Sequence, residues 1–156
     1  MALVLFVCTA NIIRSPMACA LFEQRLVRAG MAGRWEAASA GTWARNGYPA
    51  ARESQELLAA RGLDLSQHRS RIVTESLLKT ASLVLVMESG HKEALGFEFP
   101  AYRERIFLLS EMSGLLSDVQ DPVGGTQEDF LDTIRELESL IDQGFPRIIE
   151  ILDHQQ

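Results

Sequence analysis

The sequence predicts an α/β fold, an open parallel sheet with helices on both faces, in a single domain spanning residues 1–156. Three observations lead there. Short apolar runs of strand length alternate with longer stretches of helical periodicity. The two clearest runs, Ala2–Val7 and Ser82–Met87, lack a polar alternation, as strands covered on both faces of a sheet require. A chain of 156 residues with 47% apolar and 23% charged side chains can bury a full core without staples. No repeat, low-complexity tract or long linker interrupts it.

Ala2–Val7 is the first strand. Ser15-Pro16 then opens a helix, with Ser as N-cap and Pro at the first helical position. This helix runs through Leu21, Phe22 and Leu26 and ends near Gly30. A short second strand is expected at Trp35–Ala38, followed by a loop containing Gly41 and Gly47. Ala50–Arg61 fits a helix closed by Gly62. Ser82–Met87 is the next strand, and Arg105–Leu109 is a weaker one. Thr126 caps a last helix with Phe130, Ile134, Leu137 and Ile141 at helical spacing. Gly144 and Pro146 are expected to break or kink it before Ile148–Leu152.

A net charge of −6, with no basic run or stripe, argues against nucleic acid as a partner. The apolar N-terminus is too short for a signal peptide or a membrane span and has no basic flank. Cys8 and Cys19 do not make a disulfide framework. A reducing, cytoplasmic setting and no membrane association are therefore expected. The three histidines show no paired ligand spacing, so no metal and no other cofactor is expected. His91 and His154 receive no role.

Ligands on open parallel sheets sit beyond the carboxyl ends of the strands. Attention therefore falls on the first such loop, Cys8-Thr9-Ala10-Asn11-Ile12-Ile13-Arg14-Ser15-Pro16. Helix N-terminal amides lack intrahelical partners and favour anions. A loop this short must curl, which can converge its amides on one oxyanion-sized point. Arg14 adds a planar fork suited to two phosphate oxygens. The same positive surroundings favour the thiolate of Cys8. A thiolate on the floor of a phosphate cradle is placed for in-line attack on phosphorus, giving a phosphocysteine intermediate.

With these residues the sequence resembles the low-molecular-weight protein tyrosine phosphatases. Their signature of Cys, five residues, Arg, Ser, Pro near the N-terminus reads here as Cys8 to Pro16. The resemblance also takes in Ser39-Ala40-Gly41-Thr42, His68-Arg69-Ser70-Arg71 and Asp121-Pro122. It implies a four-stranded parallel sheet and hydrolysis of aryl phosphate monoesters, with phosphotyrosine on proteins as the substrate.

The resemblance makes Asp121 the acid that protonates the leaving group and then the base for water. Ser15 would hydrogen-bond the Cys8 sulfur. Asn11, a residue that tolerates a left-handed backbone, would be held through its side chain by Ser39 and His68. Ile12, Trp43 and Val123 are the candidate walls of the substrate slot.

Four positions depart from the family pattern. Ala10 stands where Gly is usual, which adds a methyl near the cradle. Ile13 replaces a second cysteine found in many members. Val123 follows Asp-Pro where aromatic residues often stand, and Trp43 falls about two positions early. Three rival functions are weighed. The Asp121-Pro122-Val123-Gly124-Gly125 stretch and the C-terminal half also resemble a protein arginine phosphatase of the same family, whose members tend to carry a small polar Thr where Ile12 stands. An arsenate reductase would need further cysteines, which Lys79–His91 lacks. A phosphate-binding module without catalysis would not need Cys8, Arg14 and Asp121 together.

Overall fold

The first apolar run forms strand β1, Leu3–Cys8, with all six residues buried. Because successive side chains of a strand point to opposite faces, this run feeds two cores. Val4, Phe6 and Cys8 pack with Met17, Leu21 and Phe22 of one helix and with Phe130, Ile134 and Leu137 of another. Leu5 and Val7 face the other way, onto Leu78 and Leu95. Burying each large apolar side chain contributes about 1.5–3 kcal/mol, so a strand covered twice is the natural centre of the sheet.

The computed structural model describes residues 1–154; residues 155 and 156 of the expected unit lie outside the described residues. Beyond β1 the chain runs through α1 (Arg14–Arg28), β2 (Glu36–Gly41), α2 (Arg52–Ala59), α3 (Glu75–Thr80) and β3 (Leu83–Val86). It continues through α4 (Ser89–Glu98), β4 (Ile106–Leu108) and α5 (Gln127–His154), with 3₁₀ turns at Pro100–Arg105 and Leu109–Ser113. The four strands are all parallel, in the order β2-β1-β3-β4. The chain leaves β1 toward one edge for β2 and crosses back to the other side for β3. The crevice at that reversal lies beyond Cys8, the last residue of β1.

Five elements differ from expectation. Strand β2 reaches Gly41, which was expected in a loop, because its register with β1 continues to Cys8 opposite Gly41. There the absence of a side chain is required: a Cβ on Gly41 would collide with the Thr9 carbonyl oxygen and stand 2.9 Å from Ala44 Cβ. Ser15 does not cap α1. The helix begins at Arg14 with Ile13 as its N-cap, and the Ser15 hydroxyl is spent elsewhere. Helix α5 runs unbroken through Gly144 and Pro146. Gly144 serves packing instead, since a Cβ there would lie 2.6 Å from Met112 Cβ. Buried Phe145 and Ile148 hold the following turn to the core, and such packing overrides propensity. Finally, α3 and α4 had no distinct sequence signal; α3 is six residues long and α4 contains Gly90 and Gly96.

Thr126 behaves as expected at the start of α5. Its hydroxyl accepts from Asp129 N at 3.2 Å, while Asp129 Oδ2 accepts from Thr126 N at 2.8 Å. This reciprocal pair satisfies two first-turn amides.

Candidate active site

The loop between β1 and α1 owes its shape to where its carbonyls go. Cys8 O accepts from Thr42 N at 2.9 Å, Thr9 O from Trp43 N at 3.0 Å and Ile12 O from Ala51 N at 2.8 Å. Asn11 O accepts from His68 Nε2 at 2.7 Å. In a planar trans peptide the N–H points opposite the C=O. Tying these carbonyls outward therefore turns the following amides, including those of Ala10, Ile12 and Ile13, toward the loop's interior. Among the described residues, none accepts a hydrogen bond from the N–H of Ala10, Asn11, Ile12 or Ile13. The curl passes through Asn11 at φ +60°, the one left-handed non-glycine residue among those described. Ala10 is exposed and free of that constraint, so its methyl meets no backbone strain.

Asn11 is fully buried and each polar atom of its side chain is used. The Arg71 amide donates to Oδ1 at 3.0 Å, which fixes the orientation of the side-chain amide. Its Nδ2 group donates to Ser15 Oγ at 2.8 Å and to Ser39 Oγ at 3.0 Å. Ser15 Oγ is thus an acceptor from Asn11 and has one proton to give. Cys8 Sγ lies 2.9 Å from that oxygen, nearer than Ala40 O at 3.3 Å. The Ser15 amide also points at the sulfur, 3.4 Å away. Two donors aimed at one sulfur suit an anionic nucleophile. His68 reaches the Asn11 carbonyl, not its side chain as the resemblance implied. Burial and the neighbouring Arg71 and Arg69 charges outweigh that hydrogen bond and hold its pKa below the usual histidine value.

Arg14 is 1% exposed, and a buried guanidinium needs partners on every side. Its Nη1 donates to Glu88 Oε2 at 2.5 Å and to Val119 O at 2.8 Å. Its Nη2 lies 3.3 Å from Thr9 Oγ1 and 3.5 Å from Asp121 Oδ2. Asp121 belongs to the loop before α5, and its Oδ1 accepts from Val123 N at 3.1 Å. Cys8, Ala10, Asn11, Ile12, Ile13, Arg14, Asp121 and Val123 line one pocket of about 40 Å³. Trp43 does not border it; its side chain is 84% exposed. Sequence reasoning missed Glu88 and His91, which stand at the start of α4 against Arg14 and Thr9. Only the crossover from β3 brings them there, and no motif announces it. Among the described residues, no group of three or more His, Cys, Asp and Glu side chains is arranged to hold a metal ion. No helix of those residues is long and apolar enough to cross a membrane.

A parallel sheet ordered β2-β1-β3-β4, with the Cys8-to-Arg14 loop at the carboxyl end of its inner strand β1, fits the class of cysteine-based phosphatases. The sequence model of the low molecular weight phosphotyrosine protein phosphatases matches residues 3–154, and the chain belongs to that family. It is 38% identical over 141 residues to the protein-arginine-phosphatase of Bacillus subtilis, covering 90% of this chain and 92% of that protein. The crystal structure of a low molecular weight protein tyrosine phosphatase from T. tengcongensis superposes with a TM-score of 0.88 at 42% identity, covering 94% of this chain and 99% of that one. The YwlE arginine phosphatase, in a mutant with a phosphorylated active-site serine, superposes with a TM-score of 0.88 at 35% identity, covering 95% of each chain.

Proposed function

We propose that this chain is a cytoplasmic, metal-independent protein-tyrosine phosphatase, acting as one domain on phosphorylated proteins and, in vitro, on small aryl phosphates. Cys8 is the nucleophile, Arg14 and the amides of the Thr9–Ile13 loop hold the phosphate, and Asp121 is the general acid and base. The observation that carries this reading is the convergence of Cys8, Arg14 and Asp121 on one small pocket. The YwlE arginine phosphatase, phosphorylated on the active-site serine of its Cys-to-Ser mutant, supports Cys8 as the residue that takes the phosphoryl group.

In the first step the Cys8 sulfur attacks phosphorus. The S–P bond forms, the P–O bond to the leaving group breaks, and Asp121 gives its proton to the departing oxygen. In the second step water attacks phosphorus and Asp121 takes a water proton. The S–P bond breaks, and the returning thiolate is met by the Ser15 hydroxyl, 2.9 Å from the sulfur. The interior amides and the Arg14 fork stabilise charge on the equatorial oxygens throughout.

Ile12 and Val123 border the pocket and offer apolar walls to a phenyl ring. Such walls crowd a polar guanidinium, which favours tyrosine over arginine. A second reading, phosphoarginine hydrolysis, is favoured by the 38% identity to the Bacillus subtilis enzyme. Side-by-side kinetics on phosphotyrosine and phosphoarginine peptides, for wild type and Ile12→Thr, decide between them. Wild type prefers phosphotyrosine on this reading, and a strong preference for phosphoarginine overturns it. Turnover of para-nitrophenyl phosphate is expected to survive EDTA and to be lost in Cys8→Ser.

A further inference from the structure

We propose that His91 is a positioning residue for Arg14, locked as the neutral imidazole with its proton on Nε2. The proposal rests on the phosphate-binding part of the proposed function for its effect on anion affinity, but not for its geometry.

His91 is the third residue of α4 and is 6% exposed. The backbone N–H of Glu88 donates to its Nδ1 at 3.1 Å. A backbone amide can only donate, so Nδ1 must carry a lone pair, and the ring proton of the neutral form sits on Nε2. That proton points to Thr9 Oγ1 at 2.8 Å. Thr9 Oγ1 also faces Arg14 Nη2 at 3.3 Å, so both lone pairs of the hydroxyl are engaged by donors. Glu88, whose own amide holds the ring, receives Arg14 Nη1 on its carboxylate. His91 therefore stands behind both ends of the guanidinium, through Thr9 on one side and Glu88 on the other.

Protonation would undo this arrangement. A proton on Nδ1 would face the Glu88 N–H, donor against donor, and would set a second cation beside Arg14. Glu88, Asp118 and Asp121 favour the charged ring, yet burial and Arg14 outweigh them and hold its pKa below the ordinary histidine value. The lock is thus in place at neutral pH and is lost on acidification.

The first test needs no mutation: ¹⁵N chemical shifts of the imidazole in the wild-type protein at pH 7. They are expected to report the neutral Nε2–H tautomer; an imidazolium or an Nδ1–H tautomer overturns the proposal. The second is calorimetric binding of inorganic phosphate to wild type, His91→Ala, His91→Gln and Thr9→Val. His91→Ala is expected to bind phosphate up to about tenfold more weakly, the net worth of the one neutral hydrogen bond that orients Thr9 against Arg14. His91→Gln, which keeps an Nε2-like donor, recovers part of that loss, and the His91→Ala/Thr9→Val pair is non-additive. Unchanged phosphate affinity in His91→Ala, or strict additivity, sinks the idea. If wild type binds phosphate but does not hydrolyse para-nitrophenyl phosphate, the phosphatase reading fails while the binding comparison still judges His91.

Discussion

Replacing Asn11 by Ala perturbs the loop at its most constrained point. The side chain makes three hydrogen bonds, to Ser15 Oγ, to Ser39 Oγ and from the Arg71 amide. At about 1 kcal/mol each, their loss costs about 3 kcal/mol. Alanine also tolerates φ near +60° less well than asparagine, which adds about 1 kcal/mol. Asn11→Ala is therefore expected to lower the unfolding free energy by roughly 3–4 kcal/mol in urea titrations. Asn11→Gly loses the same hydrogen bonds without the backbone strain, so the difference between the two variants isolates the strain at about 1 kcal/mol. The chemistry should change as well. Without Asn11 the Ser15 hydroxyl loses the donor that turns its proton toward Cys8 and Ala40 O, so thiolate departure slows. Stopped-flow turnover of para-nitrophenyl phosphate would then show a larger burst and a steady state about tenfold slower. A stability loss under about 1 kcal/mol together with an unchanged steady-state rate would refute the reasoning.

Asp121→Asn is expected to slow hydrolysis by about 10²–10³-fold, and an unchanged rate removes that residue from the mechanism. Gly41→Ala should cost about 1–3 kcal/mol in denaturation and depress activity, because the new methyl forces Thr9 to shift; wild-type stability would contradict the tight contact. His68 and His91 both have pKa values lowered chiefly by burial, so the unfolded chain takes up protons that the folded chain refuses. Stability from these two groups is complete above their unfolded value near 6.5 and is lost as pH falls through the lower folded values. Thermal melts should decline on acidification from about pH 6.5, less steeply in His68→Gln; equal slopes would count against that assignment. Peroxide should inactivate the enzyme with little recovery in dithiothreitol. Ile13 supplies no thiol beside Cys8, and burial and the Glu23 carboxylate push the Cys19 pKa far up, leaving it a poor resolving partner. Full recovery after strong oxidation would show that a resolving thiol exists.

Much of the candidate site's geometry could be read from residue order because its parts are local. Cys8, Arg14, Ser15 and the interior amides lie on one short turn between a strand and a helix, so spacing alone brings them together. The left-handed conformation of Asn11 was likewise anticipated from residue type. What failed was the assignment of local signals that tertiary contacts redirect. Ser15 reads as an N-cap, yet its hydroxyl is claimed by Asn11 and Cys8. Gly144 and Pro146 read as a break or kink, yet the helix does not break there: Met112 needs the space over the glycine and the core holds the proline's turn. Trp43 reads as a wall, yet it stands in solvent.

The amino-acid order alone determined the alternation of strands and helices apart from α3 and α4, the doubly covered first strand and the loop that follows it, because each depends on neighbours within a few residues. The tertiary structure decided which distant groups complete the cradle. Strand order β2-β1-β3-β4 sets the start of α4 beside β1, so that Glu88 pairs with Arg14 and His91 with Thr9. A buried guanidinium demands such partners, but their identity follows from which strand lies next to which, and that is a property of packing, not of any segment.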